Sequence, residues 1–566
     1  MAEKQPDWVA AAADTVIAEG KNRNLGGALV CASGISPSGP IHLGNLREIM
    51  VPHFVADEIR RRGLESRHIL SWDDYDRFRK VPAGFPASFA EHIGRPLTSV
   101  PDPCGEHENW AEHFKEPFRA ALRALGVEIT EISQSQMYTS GAYREQILLA
   151  MRRRRDIDAV LGAYRTKAAA AATAGATGAD AGEGEADEAV DADDAVSASG
   201  EYFPYKPYCQ ICGRDTTTVL SYDDDTTEIR YSCACGHSGG FALADTDHGK
   251  LVWKVDWPMR WAFEGVTFEA GGVDHSSPGS SFTVGQRLVR EIFGGQPPVY
   301  LAYSFVGTGG AAKMSGSAGG APTPSDALAI LEPQIVRWLY VRRRPNQAIT
   351  VSFDQEVGRL YDEWDALGRR IGSGASDVWE QAVFARAAGP AAGALPATAR
   401  PFAFRVLASL VDVTAGDEAQ ILRILRDLDG DTPIADLDQA RPRLDCARAW
   451  ITTYVPADAR THVREEPDGA RLAALTEQQR EAVALLLERL EDDWSQQGLT
   501  TLVYGVPKVQ AGLPADASAT PELKAAQRAL FTLLYQLLVG SDTGPRLPTL
   551  LLALGPERIR TLLAVG

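Results

Sequence analysis

Hydrophobic residues near the beginning of the chain alternate between strand-like and helix-like patterns. An apolar run at residues 26–33 has the length of a buried strand. From Leu46, apolar side chains recur at helical spacing as far as Gly63, a residue type that commonly ends helices. A second apolar run, residues 67–72, again has the length of a strand. Strand, helix and strand in this order predict a βαβ unit, which begins a parallel, doubly wound sheet.

Later strand patterns indicate that this sheet is interrupted. Residues 251–255 and 299–305 have the pattern of further strands, and a long insertion separates them from the first two. After Pro324 the strand patterns fade, and amphipathic runs at 481–494 and 526–540 predict a helical C-terminal half. The predicted fold class is therefore α/β: a Rossmann-type parallel sheet with an inserted module and an all-helical C-terminal domain.

Length and apolar content limit the class of protein. A chain of 566 residues is too long for a single core and predicts about two to four domains. The sequence has no apolar run of about eighteen residues, so we expect no membrane span. The N-terminal residues, MAEKQPDW, do not resemble a secretory signal, which favours a cytoplasmic protein.

The charge of the chain is dominated by one segment. A net charge of −18 opposes a nucleic-acid partner when it is taken alone. Residues 168–200, however, hold eight acidic residues and no basic one, which leaves about −10 for the rest of the chain. This alanine- and glycine-rich segment cannot bury a core, and we expect a disordered surface insertion. Basic clusters at 60–62, 152–155 and 342–344 are either solvated helix faces or contacts for a polyanion.

The stretch CASGISPSGPIHLGN (residues 31–45) joins the first predicted strand to the first predicted helix. Its small residues let a ligand approach the backbone closely. His42 and Asn45 fall in the first helical turn, where free N–H groups and the macrodipole attract phosphate. A histidine there can donate a hydrogen bond to a phosphoryl oxygen during a displacement. The alternative interpretation is a capped helix with a buried histidine.

A second loop, residues 310–320, follows the last predicted strand. It contains glycine, alanine and serine with a single lysine, Lys313. A mobile cation of this kind can hold a polyphosphate during displacement and then release it. The alternative interpretation is a surface linker with an incidental lysine.

Together the two loops resemble the paired signatures of class I aminoacyl-tRNA synthetases. PSGPIHLGN corresponds to the first signature and KMSGS to the second, although Gly316 stands where many class I enzymes have another lysine. Lys313 would then carry the cationic role of the loop alone. The stretches SWDDYDRFRKVPAGFP (71–86) and RWLYVRRRPNQAITVSFDQEVGRLYDEWD (337–365) resemble class I lysyl-tRNA synthetases in particular.

This resemblance implies ATP-dependent formation of lysyl-adenylate and transfer of the lysyl group to tRNA(Lys), with Mg²⁺ accompanying ATP. It implies that His42, Asn45 and Lys313 are catalytic and that activation requires bound tRNA. The expected ATP-binding residues are Pro37, Ser38, Gly39, His42, Gly44, Asn45, Gly272, Asp274, Lys313, Met314, Ser315 and Ser317.

A lysine substrate requires a carboxylate for its ammonium group and an apolar wall for its stem. The expected lysine-binding residues are Gly34, Ser36, Asp74, Trp253, Asp256, His275 and Tyr303. For each tryptophan the alternative is core packing, and for each aspartate a helix cap.

Cysteines and histidines form two candidate zinc sites. Seven cysteines, of which four lie at 209, 212, 233 and 235, indicate metal binding and not disulfides. Cys209, Cys212, Cys233 and Cys235 have the spacing of a closed structural zinc site. The resemblance implies a second zinc site at Asp102, His107 and His113, with Glu106 or Cys104 as its fourth ligand. The alternative there is a hydrogen-bonded polar loop.

The predicted domains follow from these motifs. They are a catalytic domain at 1–120 and 250–325, an inserted module at 121–249, a connecting region contacting the tRNA stem at 326–390, and a helical anticodon-binding domain at 391–566. Two other functions remain open: a class I ligase joining an amino acid to a small amine, and a non-catalytic zinc-ribbon protein that binds nucleic acid. The long helical tail opposes the first, and intact His42, Asn45 and Lys313 oppose the second.

Overall fold

A parallel sheet forms the centre of the N-terminal part of the protein, as the computed structural model shows. The structure describes residues 7–173, 200–246, 248–276, 280–308, 314, 320–429, 432–518 and 520–564. The strands are β1 (Leu29–Ile35), β2 (Ser66–Trp72), β3 (Thr130–Ser133), β4 (Tyr205–Pro207), β5 (Thr217–Tyr222), β6 (Glu228–Cys233), β7 (Ser238–Ala242), β8 (Gly249–Leu251), β9 (Val266–Gly272), β10 (Val299–Tyr303), β11 (Val306–Thr308) and β12 (Ile349–Val351).

Helices surround this sheet and form most of the C-terminal part. They are α1 (Trp8–Asn22), α2 (Leu43–Arg61), α3 (Trp110–Ala124), α4 (Gln134–Thr139), α5 (Arg144–Arg152), α6 (Arg154–Thr173), α7 (Trp253–Glu264), α8 (Ser281–Glu291), α9 (Pro324–Ile330), α10 (Pro333–Val341), α11 (Glu356–Gly372), α12 (Val378–Ala388), α13 (Phe404–Val413), α14 (Glu418–Asp429), α15 (Arg443–Tyr454), α16 (Gly469–Ala473), α17 (Glu477–Glu488), α18 (Gln496–Gln510), α19 (Pro521–Leu538), α20 (Leu547–Leu554) and α21 (Pro556–Leu563). Among the described residues, no helix is long and apolar enough to cross a membrane.

The order of the sheet is β10-β9-β1-β2-β3, and every neighbouring pair is parallel. This confirms the predicted α/β class and the predicted β1-α2-β2 unit. Strand β1 is buried along almost its whole length because the sheet has helices packed against it. Since β1, β2 and β9 are adjacent and parallel, their carboxyl ends meet at one edge of the sheet.

The strand predicted at 251–255 is wrong. Strand β8 ends at Leu251, and α7 begins at Trp253. Helix α7 packs against α8 and β9 and buries Trp257 and Trp261 in the core beside the sheet. The indoles of this helix therefore lie beside the sheet and not within it.

The inserted cysteine module is built from short antiparallel strands. Strands β5, β6 and β7 form one sheet, and β4 pairs with β8. Gly213 and Gly236, one residue after each cysteine pair, have φ values of 71° and 90°. Only a residue without a Cβ adopts this conformation readily, so each glycine allows the chain to turn back behind the pair.

The predicted disordered segment begins too early. Helix α6 continues to Thr173, because its last residues are mainly alanine, the strongest helix former. The rest of the predicted segment, residues 174–199, lies outside the described residues.

The described chain divides into two compact units. The first comprises residues 1–328, 333–352 and 371–395, and the second comprises 329–332, 353–370 and 396–566. The second unit is helical, as predicted: the runs at 481–494 and 526–540 correspond to α17 and α19. Within it, the buried Arg443 donates to Glu332 over 2.8 Å and to Asp365 over 2.9 Å. The predicted four-part division of function along the chain stays a prediction.

Candidate active site

Three adjoining cavities form a cleft at the carboxyl edge of the sheet. One of about 310 Å³ is lined by the loop after β1 and the start of α2. A second of about 280 Å³ lies against β4 and β8 of the cysteine module. A third of about 100 Å³ lies between the sheet and α7. Gly34 lines all three. The edge is therefore the place where one extended ligand can contact the loop of the first signature and the indoles of α7.

His42 is the N-cap of α2 and also lines the cleft. Its Nδ1 accepts hydrogen bonds from the backbone N–H groups of Gly44 (3.0 Å) and Asn45 (3.4 Å). The Asn45 Oδ1 accepts one from the backbone N–H of His42 at 3.1 Å, which completes a capping box. Because Nδ1 is an acceptor here, the proton of the neutral imidazole lies on Nε2. The His42 side chain can therefore cap the helix through Nδ1 and still donate a hydrogen bond to a ligand through Nε2.

This geometry corrects one expectation about the phosphate site. The first N–H groups of α2 are not free: Gly44 and Asn45 donate to His42, and Leu43 donates to the carbonyl of Pro322 at 2.9 Å. Anion binding at this helix therefore depends on the His42 imidazole and the macrodipole, and not on open backbone donors.

The two signatures meet at Gly44. A Cβ on Gly44 would lie 2.7 Å from the His42 imidazole and 3.9 Å from the Cβ of Met314. Gly44 therefore has to be glycine, and Met314, which is buried, lies directly beside the first signature. The predicted residues Lys313, Ser315 and Ser317 lie outside the described residues.

Small residues of the loop after β1 face the largest of the three cavities. Ser36, Ser38 and Gly39 line it, together with His42 and Asn45, whereas Pro37 is buried. The buried indole of Trp110 donates from Nε1 to the Ser38 carbonyl at 3.1 Å and fixes the loop from behind. Of the other predicted nucleotide contacts, Gly272 ends β9 and Asp274 lies in the 3₁₀ turn Val273–Ser276.

Acidic side chains and indoles line the cavity beside α7. Glu48, Asp73 and Glu269 line it together with Trp253 and Trp257. Desolvation raises the pKa of Glu48 to about 8 and the pKa of Glu269 to about 7. The two tryptophan rings stack with their centroids 5.1 Å apart. Carboxyl groups beside flat apolar walls suit a cation on an aliphatic stem.

Each of these acids has a partner that fixes its position. The Tyr303 hydroxyl donates to Glu48, and the Trp257 and Trp261 indoles donate to Glu269. Arg260 donates to Asp73 at 2.7 Å. Tyr303, predicted as a direct lysine contact, is therefore placed behind Glu48 in this structure.

Two predicted lysine contacts, Asp74 and Asp256, are occupied elsewhere. Asp74 is fully buried and accepts from Lys115 Nζ at 2.6 Å and from the Ser133 hydroxyl at 2.7 Å. Asp256 is also fully buried and binds Arg260 and the Tyr138 hydroxyl. Neither lines the three cavities, and these internal bonds argue against contact with a ligand. The remaining predicted residues Gly34, Trp253 and His275 do line the cavity beside α7, and Ser36 lines the cavity at the start of α2.

Sequence reasoning missed two of the acids that line the cleft, Glu48 and Glu269. Glu269 is a charged residue inside an otherwise apolar strand, VTFEAGG, and this was a readable signal. Glu48 follows Arg47 on a helix whose neighbouring positions are apolar. The basic residues Lys206 and Lys250, which the cysteine module contributes to the cleft, gave no comparable signal.

The four cysteines converge as predicted. The sulfurs of Cys209 and Cys235 lie 3.7 Å apart, as do those of Cys212 and Cys233. Ligand sulfurs about 2.3 Å from a tetrahedral zinc ion are about 3.8 Å from one another. The donor set therefore fits zinc, and because it is complete without water it is suited to a structural site.

The second cluster contains Cys104 and not Glu106. Candidate ligand atoms of Asp102, Cys104, His107 and His113 all lie within 4.8 Å of one another. The Cys104 sulfur is 3.4 Å from Nδ1 of both histidines, and Asp102 Oδ1 is 2.9 Å from His113 Nδ1. His107 precedes α3, which begins at Trp110, so the chain bends between the two histidines. A thiolate, two imidazoles and a carboxylate form a set that zinc accepts.

Known proteins resemble this chain along most of its length. A family model described as "tRNA synthetases class I (K)" matches residues 6–387. The chain belongs to the class I lysyl-tRNA synthetase family. Across 98% of this chain and 98% of the relative, it is 60% identical to a lysine–tRNA ligase of Streptomyces coelicolor.

More distant members of the family also match over nearly their whole length. A lysine–tRNA ligase of Pyrococcus horikoshii is 32% identical over 97% of each chain. A lysine–tRNA ligase of Treponema pallidum is 31% identical over 100% of this chain and 99% of that protein. The likeness to the class I lysyl-tRNA synthetases therefore includes the helical second unit, where the sequence motifs were weakest.

Proposed function

We propose that the chain is a lysine–tRNA ligase that activates lysine with ATP and transfers it to tRNA(Lys). The observation that carries the proposal is the joined cleft, in which an acidic, indole-walled cavity shares Gly34 with the cavity of the first signature. The acidic cavity holds the cationic side chain of lysine, and the cavity of the first signature holds the triphosphate beside His42. Relatives named lysine–tRNA ligase over the full chain support it.

The reaction has two steps. An oxygen of the lysine carboxylate attacks the α-phosphorus of ATP, and pyrophosphate leaves with the electrons of the broken P–O bond. The 2′-hydroxyl oxygen of the terminal adenosine of the tRNA then attacks the lysyl carbonyl carbon and loses its proton to the solvent, and AMP leaves with the electrons of the broken C–O bond. His42 Nε2 donates to the phosphoryl oxygen on which charge grows, and Lys313 neutralises the departing pyrophosphate. Magnesium accompanies ATP. The proposed location of the protein is the cytoplasm, where tRNA is present.

One assay separates this function from its alternatives. ATP–pyrophosphate exchange is measured with each amino acid, with and without tRNA. Exchange with lysine that requires tRNA supports the proposal. Exchange without tRNA that is stimulated by a small amine would favour the ligase alternative, and no exchange at all would favour the non-catalytic one.

The affinity for lysine should increase with pH. At pH 6 the carboxyl groups of Glu48 and Glu269 are mainly protonated, because their pKa values lie at about 8 and 7. The lysine ammonium keeps its charge throughout this range, so it gains a counter-charge only as these groups ionise. We expect Kd to fall by about tenfold or more between pH 6 and 7.5. Calorimetric titration in buffers of different ionisation enthalpy should also record proton release on binding.

A glutamine at position 48 should flatten this profile. Glu48→Gln removes the group with the higher pKa, so the dependence on pH should weaken and the affinity at pH 8 should fall. Asp365→Asn is the matched control, since Asp365 is a carboxyl of raised pKa in the second unit. A wild-type Kd that does not change between pH 6 and 8 would exclude these carboxylates as the ammonium site.

We further propose that the protein holds two zinc ions. Cys209, Cys212, Cys233 and Cys235 hold one, and Asp102, Cys104, His107 and His113 hold the other. The convergence of both ligand sets in the structure supports this.

Metal analysis of the purified protein should therefore give two zinc ions per chain. The content should fall to one in His107→Ala and to one in Cys212→Ser, while Cys446→Ser, a buried cysteine outside both clusters, should keep two. A single zinc ion that is kept in His107→Ala and lost in Cys212→Ser would show that only the four-cysteine site binds zinc. The Asp102 cluster would then be a hydrogen-bonded loop.

The helical second unit is the proposed anticodon-binding domain. The family model ends at residue 387, whereas the full-length relatives extend across the second unit. A ligase for tRNA needs contacts remote from the acceptor end, which a ligase for a small amine does not. The proposed connecting region at 326–390 would then contact the acceptor stem.

A further inference from the structure

Arg47 is a buried arginine five residues after His42, and 1% of its surface is exposed. Its guanidinium donates to the backbone carbonyls of Ser304 (2.6 Å), Pro345 (2.8 Å) and Gln347 (2.8 Å). Longer contacts reach the carbonyls of Phe305 and Arg344. Within the described part of the chain, all its hydrogen-bond partners are backbone oxygens. A buried guanidinium without a carboxylate is costly, so it has to be held by this full set of carbonyls.

These carbonyls belong to the two segments that precede a small parallel sheet. Ser304 lies between β10 and β11, and Pro345 and Gln347 precede β12. β11 pairs with β12 in register from Val306–Ile349 to Thr308–Val351. Arg47 therefore attaches α2 to the base of both strands at once.

β11 is also the base of the second signature. The strand ends at Thr308, and the backbone N–H of Met314 donates to the carbonyl of Val306 at 3.1 Å. The two described residues that flank the segment carrying Lys313, Thr308 and Met314, thus both belong to β11 or bind it. Met314 also lies against Gly44 of the first signature.

Arg337 provides an internal comparison. It is also fully buried and donates to backbone carbonyls, those of Leu125 (2.8 Å) and Arg386 (2.8 Å), and it contacts His53 at 3.0 Å. It lines none of the three cavities of the cleft, and among the described residues its hydrogen-bond partners do not include β11. Both arginines join segments of the first unit, but only Arg47 joins the two signatures.

We propose that Arg47 is a positioning residue: it fixes the base of the second signature to the helix of the first, so that Lys313 reaches the triphosphate beside His42. The proposal rests on the function proposed above. A planar guanidinium is required because its donors diverge toward carbonyls of separate segments, which a single ammonium cannot match.

A double-mutant cycle tests this role on the full-length protein with tRNA present. If Arg47 acts through Lys313, its effect should vanish when Lys313 is absent, whereas an arginine that only stabilises the fold should act independently. We expect Arg47→Met to lower the kcat of lysine-dependent pyrophosphate exchange by about tenfold or more. In a Lys313→Ala background the same change should lower kcat by less than about threefold. Arg337→Met should cost the same factor in both backgrounds.

The melting temperature of every variant is measured by thermal unfolding, and the assay is run well below the lowest of these temperatures. If Arg47→Met does not fold, Arg47→Lys goes through the same cycle, and its loss of exchange should likewise shrink when Lys313 is absent. An equal loss from the Arg47 change with and without Lys313 would overturn the proposal. Wild-type protein that shows no lysine-dependent exchange would instead refute the proposed function, so the two failures are distinguishable.

Discussion

Lys313→Ala should lower lysine-dependent pyrophosphate exchange by about a hundredfold or more, equivalent to about 2.7 kcal/mol of transition-state stabilisation. Lys313 is the single lysine of a loop that otherwise contains small residues. Negative charge grows on the β- and γ-phosphates as the P–O bond breaks, and a lysine supplies its counter-charge only at that stage. The loss should therefore appear in kcat more than in the KM for lysine. Steady-state exchange with tRNA present measures both.

The change should leave the fold intact, because β11 and Met314 define the ends of the loop without the lysine side chain. Lys524→Ala, which removes an exposed lysine of α19 in the second unit, is the control for the loss of one positive charge. It should not alter exchange. Near-normal activity of Lys313→Ala would show that the loop is a surface linker whose lysine has no role in the reaction.

The sequence was most informative where one residue pattern served one structural purpose. The run at 26–33 and the helix from Leu46 predicted the βαβ unit, and the structure moves its boundaries by only a few residues, to Leu29–Ile35 and Leu43–Arg61. A buried parallel strand has to be apolar on both faces, so it is easily recognised. The convergence of the four cysteines at 209, 212, 233 and 235 was equally clear, because chelation fixes ligand spacing.

Helix α7 shows where the pattern was ambiguous. A short apolar run followed by a proline, LVWKVDWPMRW, is compatible with a strand, and Pro258 opposes a helix. The structure nevertheless has a helix from Trp253 to Glu264 with Pro258 inside it. Trp253, Trp257 and Trp261 recur every four residues, which was the helical signal. Burial of these rings against the sheet outweighs the bond that proline removes.

The choice between neighbouring acids could not be made from the sequence. Asp73 and Asp74 both follow β2, but one side chain lines the cleft and the other binds Lys115 inside the core. Successive residues after a strand point in different directions, and the partner, Lys115, lies 41 residues away. Glu106 and Cys104 were undecided for the same reason, because the bend before Trp110 determines which side chain reaches the histidines.

The two roles of His42 can be separated by one substitution. His42→Asn should lower pyrophosphate exchange by about a hundredfold, or about 2.7 kcal/mol, while the melting temperature changes little. Asparagine is among the best N-cap residues, so its Oδ1 can accept from the N–H groups that Nδ1 of His42 now binds. It lacks the Nε2 donor that the imidazole presents at the cleft. Activity should therefore be lost without loss of the helix.

His42→Ala removes both roles, so it should lose activity and also about 1 kcal/mol of stability. Asp377→Asn is the matched cap control, because Asp377 forms an exposed capping box at α12, away from the cleft, and asparagine preserves it. It should alter neither property. If His42→Asn exchanges pyrophosphate at nearly the wild-type rate, the imidazole is only a cap. In that case Lys313 and the macrodipole of α2 have to supply the counter-charge for the phosphate.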